Sequence, residues 1–279
     1  MNDPMVSTDW LTDHLTDPHV KPVDATWFMP GDPRDAKVMF GAAHIPGAVF
    51  FDLDAMSDPS STLPHMLADA ATFAIRAGGL GLGRNDTIVV YDGHGLFSAA
   101  RAWWNFRVMG HNKVCVLDGG MPRWMAESRP METGTSRPKP SPFDAKLDPA
   151  LVRDIEQVST LLQSGTEQVV DVRALARFEG TAPEPRPGVR SGHMPGAKNL
   201  PFTDLITNGA LRPRDDLLAI LRNSGIDPDR PLTATCGTGV TASVLALAMA
   251  RVGHDAAVYD GSWTEWGSRS DTPVVTGPA

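Results

Sequence analysis

The chain is poor in cysteine, with only Cys115 and Cys236 among its 279 residues. Two cysteines are too few for a structural zinc site, and they lie far apart in the sequence. A disulfide framework is not needed either, because a chain of this length can bury enough apolar surface to fold without cross-links. So little cysteine is typical of a protein from a reducing compartment.

Long apolar runs and an excess of positive charge are also missing. The most apolar segment, residues 244–250, is far too short to span a bilayer. The N-terminal residues are acidic and lack the basic start and apolar stretch of a secretion signal, so we expect a cytoplasmic protein. The net charge of −8 argues against a general binder of nucleic acid or of anionic membranes, although a local basic pocket for a small anion remains open.

What the sequence does contain is an internal repeat. The motif HIPGA at residues 44–48 recurs as HMPGA at residues 193–197. In each half a short predicted strand ending in Asp precedes the motif, and a buried strand, a helix and a third strand follow it. The matching segments are strands 22–24 and 169–171, strands 87–92 and 231–236, helices 98–109 and 240–252, and strands 114–120 and 257–262.

Strands that alternate with helices in this way predict βαβ units and a mainly parallel sheet. We therefore expect an α/β protein of two tandem domains with similar topology, each a mainly parallel sheet flanked by helices. The predicted domains cover residues 1–132 and 151–279. Between them, residues 133–150 are rich in proline, which indicates an extended linker.

Cys236 stands where a predicted buried strand gives way to a helix. Ligands of open α/β sheets bind beyond the carboxyl ends of the strands. Gly237 and Gly239 permit a tight turn with inward N–H groups, and the helix start adds the positive end of its dipole. We expect the backbone around these glycines, Val240 and Thr241 to form an anion cradle that lines the substrate site, with Cys236 at its base as a thiolate nucleophile.

The same reasoning separates Cys236 from other kinds of cysteine. Cys115 lies within an apolar strand, so we expect it to be buried and structural. A cysteine in a six-residue cradle also suggests a phosphatase, but that chemistry requires an Arg six positions later to grip the phosphate. Ala242 occupies that position, and the loop has no charged side chain, so a phosphatase is disfavoured.

The loop CGTGVTA, followed by DGSWTEW, resembles the active loop of the 3-mercaptopyruvate sulfurtransferases, two-domain members of the rhodanese family. The resemblance also covers HIPGAVFFDLD in the first half and RFEGTAPEPRPG and SGHMPGAKNLPF in the second. Rhodaneses that use thiosulfate usually carry basic residues in the loop, whereas this loop is uncharged. Asp92 stands in the first half where Cys236 stands in the second, so the first domain resembles the family's catalytically silent domain.

The resemblance implies roles for further residues. Arg177 and Arg186 match arginines that bind the carboxylate and carbonyl groups of the substrate, which suits a guanidinium fork. Asp54, His65 and Thr238 match a relay that ends at a loop hydroxyl, where many relatives have Ser. Arg173 is either a third substrate contact or a structural partner of Glu179, and the sequence does not decide between them.

We thus expect an enzyme that moves sulfur from 3-mercaptopyruvate through a Cys236 persulfide to a thiol or cyanide acceptor, releasing pyruvate. No cofactor or metal is expected. By analogy the acceptor is thioredoxin or a low-molecular-weight thiol, with no nucleic-acid or membrane partner. Two alternatives stay open, namely a thiosulfate:cyanide sulfurtransferase on the same scaffold and a non-catalytic module that carries sulfur for a partner protein.

Overall fold

The computed structural model describes residues 3–136 and 138–279, which form two compact units. Unit 1 comprises the described residues up to Pro59, those within Leu67–Asp148, and Asn208–Leu211. Unit 2 comprises Ser60–Met66, Pro149–Thr207 and Arg212–Ala279. The units therefore differ from the two halves of the sequence, because each takes in one short segment from the other half.

Unit 1 is built on a five-stranded parallel sheet in the order β1-β5-β4-β2-β3. The central strand β4 has its last four residues fully buried, as expected for a strand covered by helices on both faces. The elements of this unit are β1 (Met5–Val6), α1 (Thr8–His14), β2 (Val20–Asp24), α2 (Ala36–Ala42), β3 (Val49–Phe50), α3 (Leu53–Met56), α4 (Ala70–Gly79), β4 (Thr87–Tyr91), α5 (Ala99–Val108), β5 (Val114–Leu117) and α6 (Gly120–Ala126).

Unit 2 repeats the plan with a parallel sheet in the order β6-β12-β11-β7-β8. A 3₁₀ turn at Pro149–Leu151 precedes it and another lies at Phe202–Leu205. Strand β10 (Ala210–Leu211) falls in the segment assigned to unit 1. The elements of unit 2 are β6 (Val152–Arg153), α7 (Ile155–Ser164), β7 (Gln168–Asp171), α8 (Leu175–Phe178), β8 (Lys198–Asn199), β9 (Ile206–Thr207), α9 (Arg214–Asn223), β11 (Leu232–Thr235), α10 (Ala242–Val252), β12 (Ala257–Tyr259) and α11 (Ser262–Ser268).

The repeated HxPGA motif forms the same local structure in both units. His44 Nδ1 is hydrogen-bonded to the Phe40 carbonyl at 2.7 Å, and the two rings stack. His193 Nδ1 is hydrogen-bonded to the Phe178 carbonyl at 2.9 Å, and these rings also stack. Both histidines are buried, and each holds its turn through a hydrogen bond to a backbone carbonyl, which is a structural role.

The proline-rich segment is extended, but it does not hang free. Ser141 N–H donates to the Gly78 carbonyl at 3.0 Å, and Lys146 N–H donates to the Met109 carbonyl at 2.9 Å. The Phe143 side chain is buried against the aromatic residues of unit 1. Residues 138–148 are thus fixed along unit 1 by backbone bonds and one aromatic anchor.

Five of the seven tryptophans are buried, namely Trp103, Trp104, Trp124, Trp263 and Trp266. Among residues 3–136 and 138–279, no helix has both the length and the apolar character needed to cross a membrane.

Candidate active site

Cys236 is the first residue beyond the central strand β11 of unit 2, and its backbone is held from both sides. Its N–H donates to Ser262 Oγ at 3.3 Å, and its carbonyl accepts from the Trp263 N–H at 2.9 Å. Ser262 Oγ–H in turn donates to the Tyr259 carbonyl at 2.8 Å. The start of α11 therefore fixes the point at which the chain leaves the sheet.

The carbonyl groups of the following loop are turned toward neighbouring elements. The Gly237 carbonyl accepts from Thr264 N–H at 2.9 Å and from Thr264 Oγ1 at 2.7 Å. The Gly239 carbonyl accepts from Ser243 Oγ at 3.1 Å. Gly239 has φ of +78°, a left-handed conformation that a side chain would strain, so glycine is required for the turn.

The amide groups of the loop, by contrast, lack acceptors. In the part of the chain that the structure describes, the N–H groups of Gly237, Thr238, Val240 and Thr241 donate to no protein atom. Unpaired backbone donors clustered beside the N-terminus of an eleven-residue helix are suited to an anion. The geometry thus supplies the donors that the sequence predicts around Cys236.

Exposure does not distinguish the two cysteines, since Cys115 is 0% and Cys236 is 1% exposed. Their surroundings differ. Cys115 lies inside β5 with its thiol toward the Ile88 carbonyl at 3.5 Å, and burial raises its pKa to about 12, which confirms a structural role. Cys236 lies at a strand end, and the two residues after it, Gly237 and Thr238, are half-buried, so solvent reaches the loop directly beside it.

The predicted relay of Asp54, His65 and Thr238 requires two contacts, and the contact between His65 and Thr238 is present within unit 2. His65 Nδ1 and Thr238 Oγ1 are 3.1 Å apart and hydrogen-bonded. His65 is buried, and its φ of +61° is unusual for a residue with a side chain, which indicates a conformation held by its surroundings. Asp54 lies in unit 1 on α3, where its carboxylate accepts from Trp27 Nε1–H at 3.3 Å, and its role in the relay stays a prediction.

Arg177, in the short helix α8, is brought close to the loop. A Cβ atom placed on Gly237 would lie 3.3 Å from Arg177 Nη2, so the guanidinium lies directly against the residue after Cys236. About a quarter of the side chain is exposed. Arg186 is half-buried and has no ion pair with any described residue. Its contact with substrate stays a prediction.

Arg173 is structural, and the suggested pairing of Arg173 with Glu179 was wrong. The buried guanidinium binds both oxygens of Asp171 and donates to Glu184 Oε1 at 2.8 Å. It also stacks on the Trp263 ring at 4.3 Å. Glu184 replaces Glu179 as partner because the loop after α8 brings it against two arginines.

Sequence reasoning missed Glu184 and Ser262. Ser262 has φ of +50° and follows Asp-Gly at the place where the first half has Gly120, which also has a left-handed φ. A serine where the other repeat has a left-handed glycine is the signal that could have found it. Glu184 gives no comparable signal in the sequence, because its contacts depend on how the loop after α8 folds back toward Arg173 and Arg177.

The model of the rhodanese-like domain matches residues 7–127 and again residues 154–269. The chain belongs to the rhodanese family. This rhodanese is 44% identical to "Thiosulfate/3-mercaptopyruvate sulfurtransferase 1, mitochondrial" of Arabidopsis thaliana, over 98% of the chain and 78% of the relative. It is 42% identical to the 3-mercaptopyruvate sulfurtransferase of Escherichia coli strain K12, over 96% of both.

Among solved structures, this rhodanese is similar to SseA of Escherichia coli, described as a 3-mercaptopyruvate sulfotransferase. The TM-score is 0.86 at 39% identity, over 94% of this chain and 99% of that one. The predicted fold of two tandem rhodanese-like domains is therefore confirmed. The predicted class, an enzyme of the sulfurtransferase type, is also confirmed.

Proposed function

We propose that the enzyme takes sulfur from 3-mercaptopyruvate onto Cys236 as a persulfide, releases pyruvate, and passes the sulfur to a thiol or to cyanide. The observation that carries the proposal is the group of unpaired loop amides around a cysteine at the end of β11. Such donors stabilise negative charge on the thiolate before transfer and on the persulfide after it.

In the first step the Cys236 thiolate attacks the sulfur of the donor. A sulfur–sulfur bond forms, the carbon–sulfur bond of the donor breaks, and its electron pair passes to the carbon as the enolate of pyruvate. The proton of the donor thiol ends on that carbon, so a thiolate and mercaptopyruvate become a persulfide anion and pyruvate. Atoms and charge balance without any cofactor.

The proton is moved by Thr238 and His65 in this scheme. Thr238 follows Cys236 by two residues, and its hydroxyl is hydrogen-bonded to the His65 ring at 3.1 Å. A hydroxyl in that position can polarise the ketone oxygen or pass a proton to the enolate. Asp54 would orient the histidine, as the family resemblance implies.

Arg177 and Arg186 bind the donor in the proposal. Arg177 lies against Gly237, so an anionic group above the loop falls within reach of its guanidinium. Gly237, Gly239, Val240 and Thr241 shape the pocket through their backbone rather than their side chains. In the second step an acceptor thiolate attacks the outer sulfur and restores the Cys236 thiolate. The proposed acceptors are thioredoxin or low-molecular-weight thiols, and the cytoplasmic location remains a prediction.

A second donor deserves a direct comparison, since the Arabidopsis relative is named for both thiosulfate and 3-mercaptopyruvate. The uncharged loop supports mercaptopyruvate, because the sulfonate end of thiosulfate carries more negative charge for the loop to balance. Steady-state rates with both donors test this choice. A clear preference for thiosulfate would reverse it.

The decisive experiment is intact mass spectrometry after brief exposure to mercaptopyruvate. We expect the mass of one added sulfur atom on Cys236, together with released pyruvate. Cys115→Ser should still take up sulfur and Cys236→Ser should not. Uptake without turnover on free thiol acceptors would instead favour a sulfur carrier that serves a partner protein. Unmodified Cys236 would exclude both.

A further inference from the structure

Four alternating charges form a chain that leads to the loop of Cys236. Asp171 pairs with Arg173, Arg173 Nη1 donates to Glu184 Oε1 at 2.8 Å, and Glu184 pairs with Arg177. The first three side chains are at most 4% exposed, whereas Arg177 is partly exposed beside Gly237. The chain of charges is therefore anchored in the interior and ends at the proposed site.

Glu184 occupies the edge of Arg177 that usually binds a carboxylate. Arg177 Nε donates to Glu184 Oε1 at 3.2 Å, and Nη2 donates to Oε2, so the two contacts form a bidentate pair. The forked edge of this guanidinium is thus already taken by an internal anion. A donor molecule above the loop meets the remaining N–H groups and a positive charge that Glu184 partly balances.

The charge balance at the site follows from these contacts. Two carboxylates and two guanidiniums along the chain cancel, and the loop Cys236–Ala242 contributes no charged side chain except the thiolate. Arg186 has no ion pair with any described residue, and its positive charge balances the negative charge of the thiolate. The charges of the site then sum to zero, so a dianion such as thiosulfate adds twice the unbalanced negative charge that a monoanion such as an α-keto acid adds.

We propose that Glu184 determines donor specificity by limiting the site to a singly charged anion. The inference rests on the proposed function, in that Arg177 and Arg186 face the donor. It adds a residue that acts through Arg177 without touching the reacting sulfur. Neutralising Glu184 would release the forked edge of Arg177 and leave its positive charge unbalanced, which a dianion can use better than a monoanion.

The test is Glu184→Gln, compared with the unchanged enzyme in kcat/KM for thiosulfate and for mercaptopyruvate. We expect the ratio of thiosulfate to mercaptopyruvate activity to rise about tenfold, chiefly through a lower KM for thiosulfate. Glu167→Gln is the matched control, because it removes another carboxylate of unit 2 that is paired with an arginine, Arg153. The control should leave the ratio unchanged. An unchanged ratio in Glu184→Gln, or an equal loss with both donors, would overturn the inference.

Glu184→Asp provides a second route if the Gln variant folds poorly. It keeps the buried negative charge, but the shorter side chain cannot reach Arg173 and Arg177 together. We expect a smaller change of the ratio in the same direction, about threefold. A ratio that falls, or stays constant in a folded Asp variant, would also contradict the inference.

Sulfate binding separates this inference from the proposed function. Isothermal titration of Cys236→Ser with sodium sulfate, with and without Glu184→Gln, requires no sulfur chemistry. We expect about tenfold tighter sulfate binding in the double variant and no comparable change for formate. This result would stand even if mercaptopyruvate left Cys236 unmodified. Equal sulfate affinity in both proteins would refute the role of Glu184 while leaving persulfide formation intact.

Discussion

The loop after β4 and the loop after β11 follow the central strands of two sheets with the same strand order, and they differ in what their amides bind. In unit 1 the Asp92 carboxylate accepts from the N–H groups of His94, Phe97 and Ala99 at 2.7–2.8 Å. Asp92 is fully buried, and its carbonyl accepts from Met121 N–H just as the Cys236 carbonyl accepts from Trp263 N–H. The loop of unit 1 therefore holds its own anion.

The difference teaches that the same turn in both units presents backbone donors suited to an anion. Unit 1 fills the site permanently with a side chain, whereas unit 2 places a sulfur at its base and leaves four amides without a protein acceptor among the described residues. A carboxylate with three backbone bonds needs no ligand. The two loops are thus two uses of one arrangement of backbone donors.

The strongest way to break the comparison is to make the second loop a copy of the first. Cys236→Asp should lose at least about 10⁴-fold in turnover, since no nucleophile remains. The new carboxylate should accept from the loop amides, so the variant should be about 1–2 kcal/mol more stable than Cys236→Ala. Pyruvate release and urea unfolding measure the two effects. If Cys236→Asp were no more stable than Cys236→Ala, the N–H groups of the loop would not point toward the side chain at position 236.

The reverse change empties the first loop. Asp92→Ala should destabilise the protein by about 4 kcal/mol, because three N–H groups, one buried and two partly buried, lose their acceptor together. Urea unfolding measures the loss. Asp69→Ala is the control in the same unit: it removes the N-cap of α4, which accepts from Thr72 N–H at 2.7 Å, and should cost only about 1 kcal/mol. Equal losses in the two variants would contradict the special role of Asp92.

A pH test compares the Asp residues that end the second strand of each repeat, Asp24 and Asp171. Burial raises the pKa of Asp24 to about 6. The negative charge of Asp92 raises this pKa further, whereas the hydrogen bonds from Thr26 lower it. Folded Asp24 thus keeps its proton to a higher pH than the unfolded chain does. Its contribution to stability is complete below about pH 4 and is lost as the pH rises through about 6.

Asp24→Asn should therefore be stabilising above pH 6, by about 2 kcal/mol relative to its effect at pH 4. Urea unfolding at both values measures the change. The negative charge of Asp171 is balanced by its ion pair with Arg173, so Asp171→Asn should instead lower the free energy of unfolding at pH 7. The same pH dependence in wild type and Asp24→Asn would exclude Asp24 as its source.

The smallest expected effect concerns Ser262, which stands where unit 1 has Gly120. Ser262→Gly removes the acceptor of the Cys236 N–H but relieves the left-handed backbone. We expect kcat to fall about tenfold while the free energy of unfolding changes by less than about 1 kcal/mol. Ser262→Ala loses the same hydroxyl and keeps the left-handed backbone strain. It should therefore match Ser262→Gly in kcat and have a lower free energy of unfolding than Ser262→Gly. Unchanged kcat in both would make Ser262 merely structural.

Local patterns predicted most of the fold. The repeated HxPGA motif, and the strands and helices that alternate around each copy, indicated two parallel sheets of one topology. The predicted strand 231–236 ends one residue later than β11, and the predicted helix 240–252 starts two residues earlier than α10. These boundaries depend on loop hydrogen bonds that apolar patterning does not encode.

The site was predicted where one loop determines it, and less where distant segments meet. Cys236 and its glycines could be recognised from strand, turn and helix alone. The pairing of Arg173 with Glu184 could not be predicted, because it depends on the path of the loop after α8, residues 179–192. The contact of His65 with Thr238 joins residues 173 positions apart, and no local pattern carries that information.

The position of His65 has a consequence for dividing the chain. The segment Ser60–Met66 comes from the first repeat but folds with unit 2, where it supplies the imidazole beside Thr238. The second repeat produced alone, from residue 149 onward, would therefore lack the histidine that is hydrogen-bonded to its own loop. The boundary between the two sequence repeats is not the boundary between two self-sufficient sites.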